Sequence, residues 1–432
     1  MIACNKLLAQ ILEGNYDERL KYIYCIDNEE LPETRQRACS VLKGFQRTFH
    51  HPEDIPVGLF SGPGRTELGG NHTDHQHGRV LAASINLDAL ACAAPNGSSV
   101  IRILSEGYPS IIEVALPNLM PDERERDSSA ALVRGVAAKI SYLGYTVGGF
   151  DAYVSSNVLA GSGLSSSAAY EIMVGVIINH LFCHDTLSAI QLAQIGQYAE
   201  NVYFGKPCGL MDQMASAVGS AVAIDFADIE TPKVRKINYD FIQSGHALCI
   251  IDTGANHADL THEYAAIPFE MNAVAAYFGK TVLRDVPENE FRSSIPSLRE
   301  TVGDRAVLRA IHFYAEDKRA ADEAEALDVG DFQRFLHIAT QSGYSSYMYL
   351  QNIYCALHPK EQAVAIALAI AEDALAGEGM CRVHGGGFAG TIQAFVPLAK
   401  LNAFCERMEA ILGKGRCMAL RIRPEGGVVL ID

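Results

Sequence analysis

Apolar positions along the chain alternate between two spacings. Short runs at Val57–Ser61, Val100–Leu104, Ile111–Ala115, Phe150–Ser155 and Ala247–Asp252 read as strands, and Val80–Leu90 is apolar and small. Longer stretches carry helical spacing. Ser128–Leu143 is one; Ala168–Phe182 is another, with Ile172, Met173, Val176 and Ile177 on one face. Further helices are predicted near Glu263–Phe278, Arg305–Leu327, Asp331–Tyr349, Pro359–Ala376 and Leu398–Leu412, before a closing strand at Cys417–Ile422. Polar, glycine-rich turns break the pattern at Gly62–Gly78, Gly161–Ser167 and Gly385–Gly390. The order is mixed, not regularly alternating, so the expected class is α+β. The expected organisation is an N-terminal helical extension over 1–53, a first lobe over 54–235 and a second over 236–432.

Composition narrows the class. The chain has 432 residues, 49% of them hydrophobic, enough for two large cores. No uncharged apolar run reaches the length of a membrane span, and residues 1–24 lack the charged-then-apolar order of a secretion signal. The formal charge of −16 argues against a nucleic-acid partner, while leaving room for a locally positive pocket. Eleven scattered cysteines, with no CxxC pair, predict reduced thiols in a cytoplasmic protein and give no zinc spacing.

The candidate chemistry sits in the polar loops. Gly161-Ser162-Gly163-Leu164-Ser165-Ser166-Ser167 lies between a strand and a long helix. Glycines admit close backbone approach, and a helix start offers free N–H groups to an anion; the bland reading is an ordinary cap. Gly279-Lys280-Thr281 ends like a Walker loop but lacks the earlier glycine, since Val274 stands there. Gly385–Gly390 matches GxGxxG, yet strand-forming residues follow it, which excludes a dinucleotide turn. The first loop carries Arg65, Asn71, His72, Asp74, His75 and His77. It suits either a transition metal or the vicinal hydroxyls of a sugar, and the segment alone leaves both open. Asp212, in Cys208–Gln213, reads by itself as a turn cap, and Glu200 lies twelve positions earlier.

Taken together and in order, these segments resemble the GHMP kinase family, and specifically its galactokinase branch. The resemblance runs from about Pro56 and implies two lobes with the active site in the cleft between them. It implies an ATP-dependent kinase acting on a galactose-type sugar at its anomeric hydroxyl, with ATP, Mg2+ and a small sugar as ligands. Gly161, Ser162, Gly163, Leu164, Ser165, Ser166 and Ser167 would wrap the nucleotide phosphates, and Ser167 and Glu200 would hold the magnesium. Asp212 would be the catalytic carboxylate with Arg65 its partner. Asn71, His72, Asp74, Tyr264 and Gly386 would contact the sugar.

Three positions depart from the branch: it typically carries Glu at the Asn71 place, Asn at the Glu67 place and Tyr at the His75 place. The branch glutamate faces the sugar's 6-hydroxyl. A carboxylate there would repel a C6 carboxylate, at a cost of about 2–5 kcal/mol, whereas Asn donates to one. The run His72–Gln76 is also similar to plant galacturonokinases. Asn71 could still bond a neutral 6-hydroxyl, so galactose ranks first and galacturonate second. The intact serine loop, Arg65 and Asp212 weigh against a catalytically dead sugar sensor. A metal-dependent hydrolase built on the histidine-rich loop is the remaining class.

Overall fold

The protein is described by a computed structural model covering residues 1–158, 163–206, 208–255 and 260–432. The chain opens with strand β1 (Ile2–Ala3) and helices α1 (Cys4–Leu12), α2 (Asp17–Tyr24) and α3 (Leu31–Phe49). Strands β2 (Pro56–Gly69), β3 (Arg79–Pro95), β4 (Val100–Ser105) and β5 (Ile112–Ala115) follow. Next come α4 (Ser129–Tyr142), β6 (Phe150–Ser156), α5 (Ser166–Phe182), α6 (Ala189–Tyr198), α7 (Met211–Val218), β7 (Ala221–Asp225) and β8 (Lys233–Ile237). The remainder runs β9 (His246–Asp252), α8 (Thr261–Tyr277), α9 (Glu288–Thr301), α10 (Asp304–Asp328), α11 (Phe332–Ser345) and α12 (Ala363–Leu375). It ends with β10 (Met380–His384), β11 (Thr391–Pro397), α13 (Leu401–Leu412), β12 (Cys417–Leu420) and β13 (Val428–Ile431).

Among the described residues the strands form two sheets. The nine-stranded sheet has the order β1-β2-β3-β6-β4-β5, with β13 also on β2, and β7 joining β3 to β8. The four-stranded sheet is β10-β11-β9-β12, antiparallel throughout. Mixed helices and sheets in this arrangement are the expected α+β class.

Strand β3 shows why the first sheet reads as an unbroken apolar run. Ala89, Ala91 and Ala93 face a core shared with α4–α7, while Leu90, Cys92 and Ala94 face one shared with α1–α3. Helices cover both faces, so alternation disappears from the sequence. The small side chains let α5 come close. At Gly62 a Cβ would lie 2.2 Å from the Ala169 carbonyl oxygen, so that crossing requires glycine. A further core, with Leu81, Ile85, Leu248, Ile250, Phe335 and Phe395, joins the two sheets.

One sequence expectation changes. Residues 62–69 are not part of a turn: β2 continues through them, with register shifts at Pro63/Arg65 and Glu67/Gly69. Each shift re-aims side chains, so Arg65 and Glu67 leave a rigid strand in directions a regular pleat would not give. Strand β13, near the end of the sequence, returns to pair with β2 of the first sheet. The polar N-terminal segment packs onto the first sheet. Its helices form a third layer, and β1 pairs β2 at Ile2–Val57.

One buried carboxylate ties these layers together. Asp88 accepts from Arg37 (2.6 Å) and Tyr24 (2.8 Å) of the N-terminal layer, from Ser61 of β2, and from Arg423 (3.5 Å) just before β13. Burial works to raise its pKa, but Arg37 and Arg423 override that and hold the carboxyl below the usual aspartate range. Its contribution is therefore present above the unfolded aspartate pKa and is lost as pH falls through the lower folded value. Asp88→Ala would leave Arg423 buried without its charge partner. It should lower unfolding stability by about 3–5 kcal/mol, read from urea melts at neutral pH.

Candidate functional site

Strand β2 delivers the first component. Arg65 donates in parallel from Nε and a terminal nitrogen to the two Asp212 oxygens, at 2.7 Å each. Its other terminal nitrogen donates to the Gly163 carbonyl, and its backbone N–H donates to the Leu164 carbonyl at 3.0 Å. Asp212 stands in the first turn of α7, not in an open turn. Arg65, the glycine-serine loop and α7 thus share one set of bonds. Burial tends to raise the Asp212 pKa; Arg65 and the Ser165 hydroxyl overcome this and hold it below the ordinary value.

The loop itself turns into α5 at Ser165, which adopts φ 56°. Leu164 is buried, whereas Ser165, Ser166 and Ser167 keep access to solvent. Gly161 and Ser162 lie outside the described residues. Gly163 has φ 73°, and a Cβ there would sit 2.9 Å from the Thr391 hydroxyl. Ser167 donates to Glu200 Oε1 at 3.0 Å, beside Lys206 Nζ at 3.4 Å. Gln213 donates to both Glu200 (2.7 Å) and Glu171 (3.0 Å). Burial, with Glu200 adjacent, pushes the Glu171 carboxyl well up, which lowers the charge repulsion in this pair.

The remaining polar residues form a second group around Tyr264, near the start of α8. The His72 and Tyr264 rings are 5.3 Å apart, and His75 approaches Tyr264 edge-on at 6.4 Å. His72 Nε2 lies 3.0 Å from the Gly386 carbonyl, so it carries the proton and donates. Burial and the neighbouring His75 lower the His72 pKa to about 4, leaving a neutral ring whose Nδ1 is a buried acceptor without a partner among the described residues. Asp74 is held by the His75 N–H at 2.9 Å. Two glycines admit these groups: a Cβ on Gly386 would meet the Tyr264 ring at 2.2 Å, and one on Gly209 would meet Asp74 Oδ2 at 2.4 Å. Gly209 precedes Asp212 by three residues, so Asp74 adjoins the α7 turn. The Tyr264 phenol is raised by burial and then by Asp74 and Asp212.

Asn71 departs from expectation. It is fully buried, and its amide donates to Glu67 (3.1 Å) and the Gly385 carbonyl (2.7 Å). Its oxygen accepts from Asn352 at 2.9 Å. Both amide protons are spent inside the protein, so Asn71 props up the Gly385–Gly387 turn and has none left for a ligand. Glu67 also pairs with buried Arg382. Among the described residues two groups of three ligand-type side chains converge, and neither includes His72, Asp74, His75 or His77.

Sequence reasoning missed several supporting residues. His384 receives the Glu67 N–H on Nε2 (3.4 Å) and lies 3.0 Å from the Thr391 hydroxyl through Nδ1. Burial, then Arg65, lowers its pKa to about 3, so it is a neutral strut beside Gly163. It directly precedes the third glycine turn, and that adjacency was the available signal. Cavity size does not locate the site: a hollow of about 760 Å3 lies between α11 and α12, lined by neither Asp212 nor Asp74.

Comparison with known proteins fits this geometry. Residues 43–95 match the galactokinase galactose-binding signature and residues 131–220 the GHMP kinases N terminal domain. The chain is 30% identical to the galactokinase of Streptomyces coelicolor over 370 residues, which cover 85% of this chain and 92% of that protein. The chain belongs to the galactokinase family. It is a sugar kinase that uses ATP, with a small sugar and a nucleotide as substrates. The fold is also that of Lactococcus lactis galactokinase solved with galactose (TM-score 0.76, 23% identity, 91% of this chain and all of that one). Methanococcus jannaschii mevalonate kinase is more distant (TM-score 0.59, 15% identity, 85% and 98% covered). No helix among the described residues is long and apolar enough to cross a membrane.

The Gly209–Asp74 contact yields a direct check. Gly209→Ala should displace the Asp74 carboxylate, leaving the fold intact. We expect the sugar KM to rise about tenfold, equivalent to about 1.4 kcal/mol, with the KM for ATP unchanged in steady-state assays.

Proposed function

We propose that the protein transfers the γ-phosphoryl group of ATP to the anomeric hydroxyl of D-galactose, giving galactose 1-phosphate and ADP. The observation that carries this reading is the Arg65 guanidinium, which holds the Gly163 loop and Asp212 at once, with Asp74 adjoining the same α7 turn. A sugar gripped by Asp74, His72 Nδ1 and Tyr264 would present its hydroxyl to Asp212. The phosphates of ATP would lie over Gly163 and the start of α5, whose free N–H groups favour an anion.

The electrostatics suit a late proton transfer. Asp212 is a weak base, because Arg65 engages both of its oxygens. It orients the hydroxyl and accepts the proton as the new O–P bond forms and the bond to the β-phosphate breaks. Phosphoryl transfer relies on positioning and charge neutralisation, so a strong base is not required. Arg65 adds positive charge beside the moving phosphoryl group. Ser167 Oγ and Glu200 Oε1, two oxygen donors 3.0 Å apart, fit Mg2+, which prefers such ligands and retains water. Mg2+ bound with the nucleotide would neutralise charge on its β- and γ-oxygens. Lys206, more than half exposed, is free to swing off Glu200 toward a phosphate. The unpaired thiols favour a cytoplasmic setting.

Galactose is favoured over galacturonate because Asn71, the group that would have welcomed a C6 carboxylate, has no N–H to spare. Comparing kcat/KM for the two sugars tests this directly: a preference for galacturonate would overturn it. Asp212→Asn should lower kcat by about a hundredfold or more, with sugar binding kept, since the loss falls on the transition state. A near-native kcat would remove Asp212 from this role.

A further inference from the structure

Three cysteines far apart in sequence meet in the second lobe. Cys249 lies on β9, Cys417 on β12 and Cys405 on α13. In the antiparallel register Cys249 opposes Ala419 and Cys417 opposes Ile251. Cys249 and Cys417 are therefore diagonal neighbours on one face of the sheet. Helix α13 covers that face, packing Phe404 and Met408 against Cys249 and Ile251. All three sulfurs lie within 4.8 Å of one another, with Cys405 Sγ and Cys417 Sγ 3.4 Å apart. Cys249 is fully buried, while Cys405 and Cys417 keep a path to solvent.

We propose that Cys249, Cys405 and Cys417 form a binding site for one thiophilic divalent cation, zinc in the cell, separate from the phosphoryl-transfer centre. With Zn–S bonds of about 2.3 Å, sulfurs around a tetrahedral ion stand about 3.8 Å apart. The observed cluster brackets that spacing, so small side-chain rotations would seat the ion. Binding is balanced by release of the thiol protons: the cation and three thiols give a metal tris-thiolate and three protons to solvent. Glu409 lies one turn beyond Cys405 on α13 and accepts the Gly415 N–H at 2.9 Å; the fourth position suits water or that carboxylate. Soft sulfur ligands select zinc or cadmium over Mg2+, so this site does not compete for the ion that serves ATP. It would clamp α13 to the sheet that carries the Gly385–Gly390 turn between β10 and β11.

The test is titration of the reduced, chelator-treated full chain with Cd2+ as the probe. We expect thiolate-to-cadmium absorption that saturates at one equivalent, protection of three thiols from a thiol reagent, proton release, and a raised Tm. Cys405→Ser and Cys417→Ser should each weaken binding about a hundredfold or more, while Cys39→Ser, in the N-terminal layer, should not. The metal-free Tm and the sugar-kinase rate of each variant establish that it has folded. Sloping, unsaturated binding, or saturation unchanged in the Cys405→Ser/Cys417→Ser double variant, would overturn the proposal. Zn2+ competing for the same absorption at equal stoichiometry would support it.

Discussion

A buried guanidinium must find partners for its fork of donors, and three of Arg65's N–H groups find them in the candidate site. Two N–H groups face the Asp212 carboxylate and one faces the Gly163 carbonyl. Breaking such a pair from either side leaves a desolvated charge without compensation, so the three segments are held in one arrangement. The same contact lowers the basicity of Asp212 and supplies positive charge where phosphate oxygens would gather. Structural support and transition-state electrostatics are thus one interaction. The bulge at Pro63/Arg65 is what turns the side chain toward it.

Behind this pair lies an unusual distribution of charge. Glu67 is on the strand and Asn71 in the loop, and the two bond to each other. Buried Arg382 pairs with Glu67 and also donates to the Leu68 carbonyl at 2.9 Å. Burial outweighs Arg382 and Asn71 and raises the Glu67 carboxyl to about 7. Two loops of the cleft, one from each sheet, are fastened through this group. The amide at 71 sets the position of the Gly385 turn and hence of Gly386, against which Tyr264 packs. A residue that faced the ligand in the sequence reading shapes the pocket from behind it.

The sequence disclosed the chemistry better than the layout. Arg65, Asp212, His72, Asp74 and the serine loop are singled out through the family resemblance, Asp212 by itself reading only as a turn cap, and most predicted elements recur within a few residues. What escaped was whatever depends on long-range partners. Residues 62–69 looked like a turn because glycine and proline are turn formers, yet here they serve a bulged strand pressed against α5. Helices α7 and α9 passed unremarked. The side chain of Asn71 could not be aimed, since only the fold reveals that Glu67, Asn352 and the Gly385 carbonyl surround it. The N-terminal segment looked like an appendage because its burial depends on Asp88, which is distant in sequence.

Strand β2 takes neighbours on its outer edge from both ends of the sequence, β1 beside Pro56–Val57 and β13 beside Leu59–Ser61. During synthesis β1 is available at once, but β13 emerges only after the whole second lobe. Until then the Leu59–Ser61 stretch presents unpaired backbone N–H and C=O groups along an apolar strand, an invitation to intermolecular pairing. The order of translation therefore exposes this lobe to aggregation for longer than its own length suggests, and makes it a natural client for chaperones while the rest is being made.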